Sequence, residues 1–149
     1  MKVINRNLNR EYEVLEKYEA GVALTGAEVR SVKEGNIKFD NAYVKIFGNE
    51  VHLINAEVAI YKYARPEMYD PRRTRKLLLH KAEILRLKTK IATGGNLTIV
   101  PVSCYNKKGL VKVEIALAKG KKTWEKKSFE KRRDEKRRVE KELKEQIRE

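Results

Sequence analysis

Arg72, Arg73, Arg75 and Lys76 fall within five positions of the segment DPRRTRKLLLH, residues 70–80. Guanidinium groups grip phosphate through paired donors and stack on exposed bases. The run Leu77–Leu79 directly behind them would anchor such a basic loop to a core. The same segment would serve equally as a solvated approach to a helix, and on its own it does not choose. Residues suited to making and breaking bonds are sparse. His52 sits between Val51 and Leu53, a pattern that predicts a solvent-facing ring, and His80 stands where a helix N-cap is expected. Neither has a Ser or Cys partner in a recognisable motif. Glu28, Asp40, Glu57 and Asp70 are the carboxylates that could gather Mg²⁺ for nuclease chemistry. Their spacing does not argue for it, and Glu28 already has a capping role. No phosphate-cradling glycine loop occurs. The expectation is a binding protein with no catalytic residues, no metal and no cofactor.

The charge balance points the same way. The chain has 149 residues with 35 Lys/Arg against 21 Asp/Glu, a net charge of +14. Residues 119–149 hold 14 basic and 8 acidic side chains, or +6, which leaves +8 for residues 1–118. Body and tail are each basic, and an excess of this size favours a polyanionic partner through phosphate contacts and counterion release. Cys104 is the single cysteine, so no disulfide framework or Cys-based zinc site arises within one chain, which fits a reducing compartment. No apolar run approaches a membrane span, and the start MKVINRNLNREYEV lacks an apolar signal core. A cytoplasmic protein without a membrane partner is expected.

These residues need elements to position them. Residues 11–24 read as strand. In TGAEVRSVKEG, Thr25 and Glu28 have the spacing of a capping box and Gly35 marks a stop, predicting a helix over 26–34 with Val29 and Val32 inward. NAYVKIFGNEVHLINAEVAIY reads as a hairpin turning at Gly48-Asn49, whose positive φ angles suit a two-residue turn. An aromatic, basic, Pro-containing loop covers roughly 62–75. A second helix follows His80, with Glu83 at its N3 position, Ile84, Leu87 and Ile91 at helical spacing, and Gly94-Gly95 at its end. NLTIVPVSCY and LVKVEIALAK are strands around the loop NKKG, with Pro101 predicting an edge or a bulge. About six strands and two or three short helices give a mainly β chain and suit a small antiparallel barrel.

The tail, residues 120–149, differs in kind from the barrel, residues 1–119. Val139, Leu143 and Ile147 recur at steps of four, and Asp134/Arg138 and Glu140/Lys144 are opposite charges at i,i+4. Each such pair adds only ~0.2–0.5 kcal/mol. The segment is helix-capable but buries too little to hold itself, so it should be disordered or fraying alone and helical on a partner such as RNA.

The segments GVALTGAEVRSVKEGNI, DPRRTRKLLLHKAEI and VKVEIALAKGKK occur in this order, with NRNLNREYEV at the start. Together they resemble the signature segments of the SsrA-binding protein (small protein B) family over essentially the whole chain. The resemblance implies an oligonucleotide-binding (OB) type barrel with flanking helices and a basic C-terminal tail. It also implies a non-enzymatic factor that binds the tRNA-like domain of transfer-messenger RNA (tmRNA) in place of a missing anticodon arm. Such a factor rescues stalled ribosomes by trans-translation, with elongation factor Tu engaged through aminoacylated tmRNA. The tail would order in the empty mRNA channel and decoding region, on small-subunit rRNA. Competing readings are a general single-strand RNA-binding OB module and a metal-dependent nuclease.

Carried over position by position, the resemblance implies tmRNA contacts at Asn5, Arg6, Glu28, Arg30, Ser31, Lys33, Asn55, Arg73, Arg75, Lys76, His80, Lys121 and Lys122. It implies ribosome contacts in the tail at Trp124, Lys126, Lys127, Lys131, Arg132, Arg133, Lys136 and Arg137. The chain departs from the family pattern in three places. Trp124-Glu125-Lys126-Lys127 replaces an aromatic or His followed by Asp-Lys-Arg, which removes a guanidinium fork at Lys127. Arg10 stands where a His is common, so no acid–base role can attach to that position. Glu57 stands where His or Asn is common.

Overall fold

A computed structural model describes residues 1–64, 69–121 and 131–142. Among the described residues, nine strands and three helices precede the tail: β1 (Lys2–Ile4), α1 (Leu8–Glu11), β2 (Tyr12–Val22), α2 (Gly26–Lys33), β3 (Ile37–Lys38), β4 (Tyr43–Phe47), β5 (Glu50–Ile54), β6 (Glu57–Val58), β7 (Arg75–Leu78), α3 (Lys81–Thr93), β8 (Leu97–Lys107) and β9 (Leu110–Gly120). Six strands pair antiparallel in a closed ring, in the order β2, β9, β8, β4, β5, β7 and back to β2. The expected barrel of about six strands is therefore present. β1 adds to the same edge of β8 beyond β4, and β3 and β6 form a separate two-stranded ribbon.

Local chemistry accounts for most of the elements. Thr25 caps α2, its Oγ1 accepting from the Glu28 N–H, while the Glu28 carboxylate accepts from the Thr25 N–H. Gly35, at φ +85°, ends that helix in a conformation most side chains avoid. The β4–β5 hairpin turns at Gly48-Asn49, but positive φ falls on Gly48 alone of the pair, at +61°. Glycine at the first turn position is the requirement of a type II′ turn. At α3, Glu83 accepts from the His80 backbone N–H and Gly94 is the C-cap.

The core lies inside the barrel. Val51, Leu53, Leu77, Ile99, Val113, Ile115 and Leu117 line it, joined by Val32 from α2 and Leu87 from α3. A second apolar cluster lies on the outer side of β8 and β9, where Val100, Val102, Ala116 and Ala118 pack under Leu8 of α1. Two β-bulges let the same strands also fill the core. Side chains alternate with a period of two along a strand, so one extra residue switches the face that a given parity occupies. Past the bulge at Pro101/Ser103, Cys104 faces inward although it has the parity of the outward Val100 and Val102, and past the bulge at Val14/Glu16, Tyr18 faces inward although it has the parity of the outward Val14. Pro101 marked an edge or a bulge at the first; nothing around Leu15 marked the second. The outer cluster also explains why the far half of β9 is apolar on both faces, with Ala116 and Ala118 outward and Ile115 and Leu117 inward.

Cys104 is fully buried, and burial pushes its thiol up to about 12. Only the thiolate reacts with disulfide reagents. Cys104 should therefore resist an aromatic disulfide reagent in the native protein at mildly alkaline pH and react fully once the chain is unfolded in strong denaturant.

Candidate nucleic-acid interface

Glu28 organises this region, and it does so from the interior, with 1% of its side chain exposed. Oε1 accepts from Arg73 Nη2 at 2.6 Å and from the Thr25 N–H at 3.0 Å; Oε2 accepts from Arg75 Nε at 2.7 Å and lies 2.6 Å from Arg75 Nη2. Burial by itself would raise the Glu28 carboxyl. The hydrogen bonds from Arg73, from the Thr25 backbone and from Arg75 outweigh it, and the group ends below its ordinary value of 4.5. Arg75, also 1% exposed, spends its remaining N–H donors on carbonyls: Nη1 donates to Ala56 and Arg73, both at 2.9 Å, and Nη2 to Pro71 at 3.1 Å. Of the five N–H donors of a guanidinium, four make hydrogen bonds, and Nη2 also stands in the ion pair with Glu28.

Three of the residues expected to meet RNA are buried: Glu28 and Arg75 in their mutual ion pair, and Ser31, whose Oγ donates to the Ala59 carbonyl. Arg75 lies inside because the basic run is not one loop. Strand β7 begins at Arg75, and alternation sends Arg75 inward and Lys76 outward toward Glu50, 3.4 Å away. The same alternation exposes Leu78, so the leucine anchor consists of buried Leu77 with partial help from Leu79.

The clamp presents a surface rather than being one. Arg73 keeps 43% of its side chain exposed while held by Glu28. Arg30 and Lys33 lie exposed on α2, and Asn55 is exposed at φ +63° just after β5. The Arg30 guanidinium carbon lies 5.8 Å from the Tyr61 ring centroid, the Tyr61 and Tyr63 rings meet edge-on at 5.4 Å, and Lys62 Nζ lies 4.8 Å from the Tyr63 centroid. Tyr63 is 75% exposed. Cations interleaved with open aromatic faces suit phosphate contact combined with base stacking. Sequence reasoning noted an aromatic, basic loop but assigned no role to Tyr61, Lys62 or Tyr63. The signal available was their alternation, Tyr-Lys-Tyr.

The other expected contacts are dispersed. Asn5 is partly buried; its Nδ2 donates to the Pro101 carbonyl and its Oδ1 accepts from the Asn7 N–H, tying β1 to the β8 bulge, while Arg6 beside it is exposed. His80 is exposed at the start of α3. Lys121 is held against α1, where its N–H donates to the Glu11 carbonyl and Nζ to that of Asn9. Residues 131–142 are helical and exposed on all sides, which includes Lys131, Arg132, Arg133, Lys136 and Arg137. Lys122, Trp124, Lys126 and Lys127 lie outside the described residues. Among the described residues, no three His, Cys, Asp or Glu side chains are grouped to hold a metal ion, and no helix is long and apolar enough to cross a membrane.

Comparison with known proteins decides the family. The model of the SmpB protein family matches residues 2–145. The chain belongs to the SmpB family. Among relatives of this SmpB-family chain, the SsrA-binding protein of Pseudothermotoga lettingae is 47% identical over 128 residues, covering 85% of this chain and 86% of the relative. That of Sulfurihydrogenibium sp. is 51% identical over 122 residues, covering 82% and 80%. A solved chain from work on tmRNA-SmpB at the center of the bacterial ribosome is 41% identical, with a TM-score of 0.68 over 82% of this chain and 85% of that one.

Removing one partner of a buried ion pair costs about 3–5 kcal/mol. Arg75→Ala and Glu28→Ala should each destabilise the SmpB-family barrel by that order in urea unfolding, and Arg73→Ala, whose side chain is half exposed, by much less. The pH dependence has a definite sign. A carboxyl held below its unfolded value adds stability above that value, near 4.5, and loses it as pH falls through the lower folded value. Urea midpoints measured from neutral to acid pH should therefore fall less steeply below about 4.5 in Glu28→Gln than in the parent.

Proposed function

We propose that this chain is a tmRNA-binding factor of trans-translation that engages the tRNA-like part of tmRNA through the Arg73–Arg30–tyrosine surface. Family membership over nearly the whole chain carries the reading. Relatives named SsrA-binding protein and a structural neighbour described with tmRNA and the bacterial ribosome support it. The surface chemistry is consistent with it: Arg73 is preset by a buried carboxylate, so little side-chain freedom is lost when it meets a phosphate, and the tyrosines offer rings to unpaired bases. Nothing in the chemistry calls for catalysis, since the best-placed carboxylate is spent on two arginines. Elongation factor Tu enters this scheme only through aminoacylated tmRNA.

The tail has a separate role in this proposal. In helical residues 131–142, Arg132/Lys136 and Arg133/Arg137 are i,i+4 neighbours and form adjacent basic rows. Such a strip suits rRNA phosphates lining an empty mRNA channel, and an indole at Trp124 would add a ring on which a base can stack. A basic segment this short on apolar anchors gains its order from the RNA, which lets it report that the channel is empty.

Sequencing the RNA that copurifies with tagged protein tests the core of the proposal, and enrichment of tmRNA is the expected result. Preference for tmRNA over other RNA of equal length at raised salt separates it from a general binder, and RNA cleavage that needs Mg²⁺ would instead identify a nuclease. Truncation after Lys122 should leave tmRNA affinity within about tenfold, or ~1.4 kcal/mol, and abolish tagging of stalled peptides. Arg30→Ala with Arg73→Ala should weaken tmRNA binding and reduce the slope of log affinity against log salt by about 1.4–1.8, at ~0.7–0.9 for each phosphate that is no longer neutralised.

A further inference from the structure

The outward wall formed by β4, β5 and β7 is not used by the Glu28 clamp or by the tyrosine surface. Its residues follow from the register. Tyr43 stands opposite Ile54, Lys45 opposite His52, and Phe47 opposite Glu50; on the next strand, His52 stands opposite Lys76. The intervening residues Val44, Val51, Leu53 and Leu77 point into the core and are buried. Facing outward, with Ile54 and Leu78 at its margins, is therefore a row of cationic or imidazole groups, Lys45–His52–Lys76, crossing between two aromatic rings.

Both rings are open, Tyr43 at 38% and Phe47 at 51% exposure. They lie on one strand four residues apart, about 13 Å at ~3.3 Å per residue, with Lys45 between them. Lys45 Nζ sits 5.3 Å from the Phe47 centroid, and the His52 ring leans on Phe47 at 5.6 Å. One carboxylate belongs to the wall: Glu50, which accepts from Lys76 Nζ at 3.4 Å and lies 3.2 Å from His52 Nε2. These contacts aim Lys76 and His52 along the wall, and Glu50 itself lies at its far edge, beside the turn. Alternating rings and cations on a barrel wall match the way single strands are held: bases stack on the rings while phosphates follow the charges.

We propose that the β4–β5–β7 wall is a second RNA platform, which holds an unpaired RNA strand by stacking bases on Tyr43 and Phe47 and drawing its phosphates to Lys45 and Lys76. It is distinct from the Arg73–Arg30–tyrosine surface and does not depend on that surface binding tmRNA. Structured and unpaired RNA would be held on different faces of one barrel.

The test uses the full chain and a fluorescent oligouridylate of about ten nucleotides, within the ~4–16 nucleotides that OB folds cover, read by anisotropy. Each base stacked on an aromatic contributes ~1–3 kcal/mol, so Phe47→Ala and Tyr43→Ala should each weaken binding by roughly 5- to 150-fold at ~1.4 kcal/mol per tenfold. Phe47→Trp should retain it. Lys45→Gln should lower the salt slope by about 0.7, the single-strand value for one phosphate. Photocrosslinking with 4-thiouridine should mark β4. Affinity for the tRNA-like part of tmRNA should be unchanged in Phe47→Ala, whose folding is checked by thermal melting. Equal oligouridylate binding by the parent, Phe47→Ala and Tyr43→Ala would overturn the proposal and assign the RNA to the basic tail or to diffuse charge. So would crosslinks confined to residues outside β4, β5 and β7. Loss of tmRNA binding in Arg30→Ala with Arg73→Ala, while the oligouridylate still binds, is the result expected for two separate faces.

Discussion

A carboxylate buried inside a protein has to be fully hydrogen-bonded, and most of the functional geometry here follows from satisfying Glu28. Unpaired, its charge would be costly enough to force protonation or unfolding. Paired, it draws two arginines from a segment more than forty residues later in the chain, and with them the whole approach to β7. The same carboxylate closes the capping box of α2. Helix start, loop path and strand entry are thus fixed by one side chain, and Arg73 is the member of that network whose guanidinium stays half exposed while held in place by its neighbour.

The barrel wall supplies the second constraint. Because a strand alternates faces, every inward residue implies an outward neighbour, and the wall is as specified as the core. On β8 and β9 the outward positions are filled by small apolar residues and closed by Leu8, which makes a seat for α1 from which the chain leaves toward the tail through Lys121. On β4, β5 and β7 the outward positions carry the rings of Tyr43 and Phe47 and the cations Lys45 and Lys76, beside Glu50, Ile54 and Leu78. One fold therefore carries a sealed wall and an open one, and the difference lies only in which side chains occupy the outward parity.

Charge is shared between a barrel and a tail that meet it differently. The barrel's basic groups are placed by packing and by ion pairs, so their positions are set before any partner arrives. The tail's basic groups ride on a helix exposed on every side through residues 131–142, where i,i+4 pairs and helix propensity are the only local support.

Local pattern by itself determined the capped α2 and α3 and the hairpin at Gly48, and marked an edge or a bulge at Pro101, because each depends on residues within a few positions of one another. It also carried the family resemblance and the basic character of both parts. Only the tertiary structure decided that Glu28, Ser31 and Arg75 belong to the interior, since polar residues read as exposed until a partner distant in sequence is known to satisfy them. The second bulge at Leu15, the seat under α1, and the assembly of Tyr61 and Tyr63 with Arg30 were likewise illegible. Each arises from packing between segments tens of residues apart, and sequence spacing holds no record of such packing. The one-residue difference between Arg75 and Lys76 shows the limit most sharply: a basic run looks uniform in sequence, and the pleat of a strand sends its members to opposite sides of the wall.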